Sequence, residues 1–107
     1  MGKYLLKVSY SAEGLKGVMK QGGTGRVKAV ERAVAGVGGS LESFYFAFGG
    51  DDVYVIVDVP SHAAAVAMAG AVATTGAISR YETVVLLTPA EIDEAMKVAV
   101  DYSPPGA

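Results

Sequence analysis

The 107-residue chain contains no cysteine, one histidine and no apolar run long enough to cross a membrane. Without cysteine it has no disulfide, no thiolate nucleophile and no cysteine-ligated metal. The absence of cysteine also gives no indication of whether the protein works in an oxidising or a reducing compartment. A single histidine, His62, excludes a multi-histidine metal site within one chain. The apolar run near the N-terminus is interrupted by Lys7 and is too short for a signal sequence. A soluble cytoplasmic protein with no membrane partner is therefore expected.

Charge of either sign is also scarce. Nine Lys and Arg residues against 11 Asp and Glu residues give a formal net charge of -2. Nucleic-acid binding needs a basic face, and no cluster of Lys or Arg is present, so we expect no nucleic-acid partner. Only 19% of residues are charged and 51% are hydrophobic, which favours burial of surface in a homo-oligomer. The length suits one domain, expected at residues 1–101, followed by a disordered tail at 102–107.

Residues 41–59 contain two apolar runs joined by Gly49-Gly50-Asp51-Asp52, a pattern that predicts a β-hairpin. Strict alternation in the first run places Phe44, Phe46 and Phe48 on one face and Leu41, Tyr45 and Ala47 on the other. In the second run, valine at every other position alternates with Tyr54, Ile56 and Asp58. Both faces of the sheet are thus largely apolar. Helices of this chain can cover one face, and a second copy or a ligand is expected on the other.

The remaining patterns alternate between strand and helix. Residues 3–10 predict a strand, and Ser11 caps a weak helix over 12–20. Residues 21–25 predict a break before a second helix that ends near 37.

After the hairpin, Ser61 caps a helix that runs to about residue 74 and turns Ala65, Met68, Ala69 and Val72 toward the sheet. A strand follows over 77–87, and Thr88, Pro89 and Glu91 then form a capping box. That box opens a last helix with an apolar stripe of Ile92, Ala95, Met96 and Ala99. The order of elements predicts an α+β, ferredoxin-like βαββαβ fold, with a four-stranded antiparallel sheet, helices on one face and an extra C-terminal helix.

Three stretches resemble the GYD domain family: YLLKVSYSAEGLKGVMKQGGTGR, AVAGVGGSLESFYFAFG followed by Asp52-Val53, and LLTPAEID. The resemblance spans about residues 4–96. It implies a ferredoxin-like protomer that pairs sheet to sheet in a dimeric α+β barrel, and it implies no activity. Gly49 and Asp52 fit the motif that names the family, but Asp51 stands at the position of its tyrosine. A role of that phenol does not carry over to this chain.

The glycine-rich stretch Gly22, Gly23, Thr24, Gly25 and Arg26 is a candidate anion site. Glycines let backbone N–H groups converge, a helix N-terminus adds partial positive charge, and the arginine adds a fork of donors. The stretch has the spacing of neither a P-loop nor a dinucleotide fingerprint, so no cofactor is predicted. The simpler interpretation is a tight kink between two helices, capped by Thr24.

Ionisable residues on the predicted strands supply the candidate catalytic positions Lys7, Tyr54 and Asp58. In one interpretation, antiparallel pairing brings Lys7 near Asp58 between two sheets, where the pair polarises a small substrate. In the other, which we favour, these residues, with Arg80 and Glu82, lie near strand ends or the rim and form exposed ion pairs of little energetic weight. His62 is expected to face solvent in the first turn of its helix, and the Asp51-Asp52 pair is expected to serve the turn, so no metal site is predicted.

These patterns favour an uncharacterised homo-oligomeric domain whose open sheet face and a neighbouring copy enclose a small-molecule site. A cofactor-independent oxygenase or isomerase that uses Tyr54, Lys7 or Asp58 is the first alternative. An anion or nucleotide sensor at residues 22–26 is the second.

Overall fold

A computed structural model describes residues 2–107. They form β1 (Gly2–Tyr10), α1 (Ala12–Gln21), α2 (Gly23–Gly36), β2 (Ser40–Phe46), β3 (Val53–Val59), α3 (His62–Ala73), β4 (Ile78–Leu86) and α4 (Pro89–Ala95). All strand pairs are antiparallel, in the order β2-β3-β1-β4. This is the predicted ferredoxin-like α+β fold, with the first helix divided into α1 and α2. None of these helices has the length and apolarity that a bilayer span needs.

The core lies between the sheet and helices α2 and α3. Tyr4, Leu6 and Val8 of β1 are buried opposite Val57, Val55 and Val53 of β3. Val34 of α2 and Ala65 and Met68 of α3 cover these residues. Each fully buried valine contributes about 1.5–3 kcal/mol relative to an exposed one, so this layer fixes which face of the sheet the helices cover.

Side-chain caps define where three helices begin. Ser11 and Ser61 each accept a hydrogen bond from the backbone N–H three residues later. At α4, Thr88 and Glu91 bond to each other's backbone N–H, as a capping box requires. All three predicted caps are confirmed, because a cap depends only on residues within one helical turn.

The predicted break between the two helices is confirmed, but it is shorter than residues 21–25, because α1 runs to Gln21 and α2 already begins at Gly23. Gly22 alone separates α1 from α2, and its φ of 85° lies in a region that glycine reaches without steric cost. Gly22 is also the N-cap of α2 and makes no side-chain cap, so Thr24 does not cap this helix. Gly23, Thr24 and Gly25 therefore belong to the first turn of a helix and not to a loop.

The hairpin differs from the predicted alternation at two places. Strand β2 ends at Phe46, and Phe48 lies beyond it with its ring fully exposed. A register shift against β3 between Leu41 and Ser43 puts Leu41 on the same face as Phe44, where both pack against the core. One additional residue in a strand reverses the facing of every residue beyond it, and the sequence pattern does not reveal such a bulge.

The C-terminal part of the described chain lies apart from the core. Helix α4 ends at Ala95, before the predicted stripe is complete, and it has no buried residue. Met96, Val98, Val100 and Tyr102 are 78%, 67%, 78% and 70% exposed. The overall dimensions of 57 × 33 × 23 Å reflect an elongated molecule. Residues 102–107 have no helix or strand, and their disorder stays a prediction.

Candidate functional site

The face of the sheet opposite the core, called here the open face, carries a central row of apolar residues. Leu5 lies directly between Ile56 of β3 and Val84 of β4, and all three are partly exposed. We call these three residues the central apolar row. Helices α1 to α3 pack on the opposite face, where Tyr4, Leu6 and Val8 are buried. Charged residues lie on the open face on either side of the row.

On one side of the row lies the Asp51 cluster, formed by Lys7, Ser9, Asp51, Arg80 and Glu82. Asp51 is only 3% exposed, and its Oδ1 accepts a hydrogen bond of 2.9 Å from Ser9 Oγ. Its carboxylate oxygens lie 3.8 Å from Lys7 Nζ and 3.8 Å from Arg80 Nε. Lys7 Nζ is also 3.3 Å from Glu82 Oε1. The buried carboxylate is thus compensated by one hydroxyl and two cations, as burial of a charge requires.

The predicted turn role of Asp51 and Asp52 is confirmed. Asp52 accepts a side-chain hydrogen bond of 2.9 Å from the Tyr10 backbone N–H, and its own N–H donates to the Val8 carbonyl at 2.9 Å. These bonds attach the hairpin turn to the end of β1. The burial of Asp51 beside two cations was missed by sequence reasoning. The sequence did contain one indication of an unusual role for Asp51, because this aspartate stands at the position where the motif of the similar family has tyrosine.

The predicted pairing of Lys7 with Asp58 is wrong. The β1–β3 register places Lys7 opposite Tyr54 and places Lys3 opposite Asp58. Lys3 Nζ lies 3.4 Å from Asp58 Oδ2 and also pairs with Glu42, whose hydrogen bond raises the pKa of Lys3. Lys3 and Lys7 are four positions apart along β1, a distance of about 13 Å. Lys7 and Tyr54 therefore share one site, and Asp58 belongs to the opposite end of the open face.

The acidic residues do not gather into a metal centre. Within residues 2–107 no group of three His, Asp or Glu side chains is arranged to hold an ion. Asp51 and Asp58 lie at opposite ends of the open face, and Asp51 already has cationic partners.

His62 lies in the first turn of α3 and is exposed to solvent, as predicted, and its ring also contacts Tyr4. Its Nδ1 is 2.6 Å from the hydroxyl oxygen of Tyr4, whose ring is 3% exposed. The two rings meet edge to face with centroids 5.7 Å apart. Both line a cleft of about 360 Å³ at the end of β4, together with Thr88 and Glu91. The contact gives a buried phenol its partner, and no local pattern indicated it.

A second system of cavities lies on the helix side of the sheet. A groove of about 700 Å³, the helix-side groove, is bounded by α1, the start of α2 and α3. It adjoins an apolar cavity of about 70 Å³, the core cavity, whose lining includes Val30, Phe44, Met68 and Tyr81. Tyr10, Arg26, Val72 and Ile78 line both spaces. Arg26 thus lies where an open groove meets the core.

Of the candidate anion-binding residues 22–26, Arg26 is the one that lines this groove. Arg26 lines it, and its backbone N–H donates to the Gly22 carbonyl at 3.2 Å, which closes the first turn of α2. The N–H groups of the residues between them belong to the helix N-terminus, where intrahelical acceptors are lacking. An anion at this turn stays a prediction.

Two phenols border the core cavity. The Tyr81 hydroxyl is buried and has no hydrogen-bond partner among the described residues 2–107, and burial raises the pKa of Tyr81 to about 12. Burial also raises the pKa of Tyr10, and the Arg26 guanidinium acts against that rise. Both phenols are protonated donors at neutral pH.

Replacement of Tyr81 by phenylalanine is expected to protect the protein against alkali. Native Tyr81 keeps its proton up to about pH 12, whereas an unfolded tyrosine loses it near pH 10. The contribution of protonated Tyr81 to the free energy of unfolding is therefore complete below pH 10 and is lost as the pH rises to 12. Between pH 8 and pH 11 the free energy of unfolding of the wild type should fall by roughly 1 kcal/mol more than that of Tyr81→Phe, after allowance for solvent screening of the partly exposed ring.

Urea unfolding at pH 8 and pH 11 measures this difference. At pH 8, Tyr81→Phe should be neutral or more stable by about 1 kcal/mol, because the hydroxyl it removes is buried without a partner. Tyr45→Phe, at a position that is 71% exposed, is the matched control and should behave as the wild type. If the free energy of unfolding falls equally between pH 8 and pH 11 in the wild type and in Tyr81→Phe, the raised pKa of Tyr81 is contradicted.

The sequence of this chain matches the profile of a known protein family. The sequence profile of the GYD domain matches residues 4–96, which include β2 to β4, all four helices and all but the first two residues of β1. The match thus covers the central apolar row, the Asp51 cluster and the helix-side groove. A comparison with curated proteins gives no match. From its sequence and from the fold that carries it, the chain belongs to the GYD domain family.

Proposed function

We propose that the protein is a homo-oligomeric binding domain in which the open faces of two sheets enclose a small molecule. The observation that carries this proposal is the central apolar row, because Leu5, Ile56 and Val84 lie on the face that α1 to α3 leave uncovered. An antiparallel sheet that meets water on one face normally presents polar residues there. Apolar side chains in the middle of that face are instead suited to contact with another protein surface.

The arrangement of the open face suits a pair related by a two-fold axis. Such an axis brings a surface against its own copy, so the central apolar row meets itself and the charged residues lie toward the rim. Each charged group contains both signs: Lys3 with Glu42 and Asp58 on one side, and the Asp51 cluster on the other. Opposite charges within each group reduce repulsion between the two copies.

The C-terminal segment supplies a second apolar surface for the assembly. Ile92, Met96, Val98, Val100 and Tyr102 are between 40% and 78% exposed in the single chain. Helix α4 begins three residues after Leu86, the open-face residue at the end of β4. We infer that this segment lies on the second copy and extends the contact that begins at the open face.

The proposed ligand position is beside the Asp51 cluster. Lys7 lies opposite Tyr54, and Tyr54 lies opposite Tyr45, so two aromatic rings adjoin the charged cluster on the open face. Rings offer a flat apolar surface, and the cluster offers polar contacts, a combination typical of small-molecule sites. Lys7 is held between Asp51 and Glu82, which favours its use as a fixed cation over its use as a base.

Native mass spectrometry of the purified protein tests the proposal. We expect an even-numbered assembly of 10.9 kDa chains, with added mass from a retained small molecule. A single chain throughout the micromolar range would contradict the assembly. An assembly that has no added mass, and that binds no compound of an aromatic metabolite library, would contradict the ligand site alone.

A further inference from the structure

We propose a second binding site in the helix-side groove, for a small organic acid with an apolar body. The feature that supports it is the position of Arg26 at the junction of an open groove with an apolar core cavity. This site lies on the opposite face of the sheet from the Asp51 cluster, so it does not depend on the proposed function.

Arg26 provides the contact for the acid group. Among residues 2–107 no carboxylate lies within ion-pair distance of its guanidinium, whereas Lys3, Lys7 and Arg80 are all paired. A guanidinium presents two parallel N–H donors that match the two oxygens of a carboxylate. The protonated phenol of Tyr10 lies beside it as a further donor. Lys20 and Glu13 also line the groove, and together with Arg26 they leave it positively charged.

The core cavity provides the contact for the apolar body. Its volume of about 70 Å³ holds more than one water-sized group, and its walls are aliphatic and aromatic side chains such as Val30, Phe44 and Met68. Water in such a cavity has few partners, so methyl or methylene groups occupy it at lower cost. Tyr81 also lines the cavity.

Glycine residues of α1 keep the groove open. Gly17 lines the groove, and a Cβ atom built there has no atom within 4 Å. A larger side chain at this position therefore extends into open space and obstructs the groove without a clash in the helix. This makes Gly17→Leu a blocking variant that leaves Arg26 in place.

The test uses octanoate as the probe, with isothermal titration calorimetry on the full-length protein. We expect octanoate to bind. Octanol, which lacks the acid group, and acetate, which lacks the apolar body, should both bind far more weakly. Arg26→Gln and Gly17→Leu should each weaken octanoate binding by at least about tenfold, because the first removes the contact for the acid group and the second obstructs the groove. Lys28→Gln, an exposed cation of α2 outside the groove, is the matched control and should bind as the wild type does.

Circular dichroism establishes that each variant is folded before titration. The proposal is overturned if octanoate does not bind, if it binds equally to the wild type and to both groove variants, or if octanol binds as well as octanoate. Loss of octanoate binding in Ile56→Lys, with full binding in Gly17→Leu, would place the site on the open face and would also overturn it. An absence of octanoate binding would not change the assembly that mass spectrometry measures. The groove site and the homo-oligomeric assembly can therefore be contradicted independently of each other.

Discussion

Replacement of Gly14 by alanine is expected to destabilise the protein by at least about 3 kcal/mol, a large share of the stability of a domain of this size. Gly14 is the only buried residue of α1. A Cβ atom at this position would lie 1.9 Å from the carbonyl oxygen of Ala77 and 2.8 Å from its carbonyl carbon. Both are backbone atoms, so no rotation of a side chain relieves the overlap.

The backbone around Ala77 cannot easily move away. Its carbonyl oxygen accepts the N–H of Ser11 at 2.9 Å, and the Ser11 hydroxyl donates to the Gly76 carbonyl at 2.8 Å. Ser11 is also the N-cap of α1, through the N–H of Gly14 itself. A shift that makes room for a methyl group therefore breaks the bonds that hold the start of α1 against the start of β4.

Gly17→Ala, one turn later in the same helix, is the matched control. No atom lies within 4 Å of a Cβ built at Gly17, so alanine should fit there and should stabilise the helix by about 0.5–1 kcal/mol. Urea unfolding followed by circular dichroism measures both variants. A Gly14→Ala protein within about 1 kcal/mol of the wild type would show that the contact between α1 and the α3–β4 loop is looser than these distances imply.

Replacement of Ile56 by lysine is the second change with a large expected effect, in this case on assembly. Ile56 lies between Leu5 and Ser43 near the middle of the open face. In a two-fold pair, lysines from both copies would enter a desolvated interface without partners, at a cost of several kcal/mol. We expect the dissociation constant to rise by at least about 100-fold, which leaves a folded single chain at micromolar concentration.

Val66→Lys introduces the same kind of change at a site that is 70% exposed on α3, away from the open face. Sedimentation velocity should show this control in the wild-type assembly and Ile56→Lys as a single chain. Leu5→Lys, in the same row, provides an independent second variant. If both row variants keep the wild-type sedimentation coefficient, the open face is not the interface.

Features set by neighbouring residues were predictable from the sequence. The period of two along β3 placed its valines together on one face, which the structure shows to be the buried one. Ser11, Ser61 and the Thr88–Glu91 pair identified three helix starts. The order of these elements was enough for the ferredoxin-like fold, because few topologies satisfy the rules for connections between strands. The family followed from the same stretches of sequence.

The candidate site was predictable only as a set of residues. Lys7 and Tyr54 do share the open face, but Asp58 pairs with Lys3 and not with Lys7. The sequence assigned these side chains to a face correctly, because facing depends on position along one strand. It did not assign the partners, because those depend on how two strands are aligned.

The amino-acid sequence by itself determined the helix caps, the strand periodicity and the order of elements, since each depends on residues within a few positions of one another. Only the tertiary structure decided that Asp51 is buried beside Lys7 and Arg80, that Tyr4 meets His62, and that Arg26 opens onto the cavity beside Tyr81. The Ser9–Asp51 and Tyr4–His62 contacts join residues 42 and 58 positions apart. Such contacts depend on strand register and on helix placement, and a shift of one residue, as between Leu41 and Ser43, exchanges the two faces of a strand.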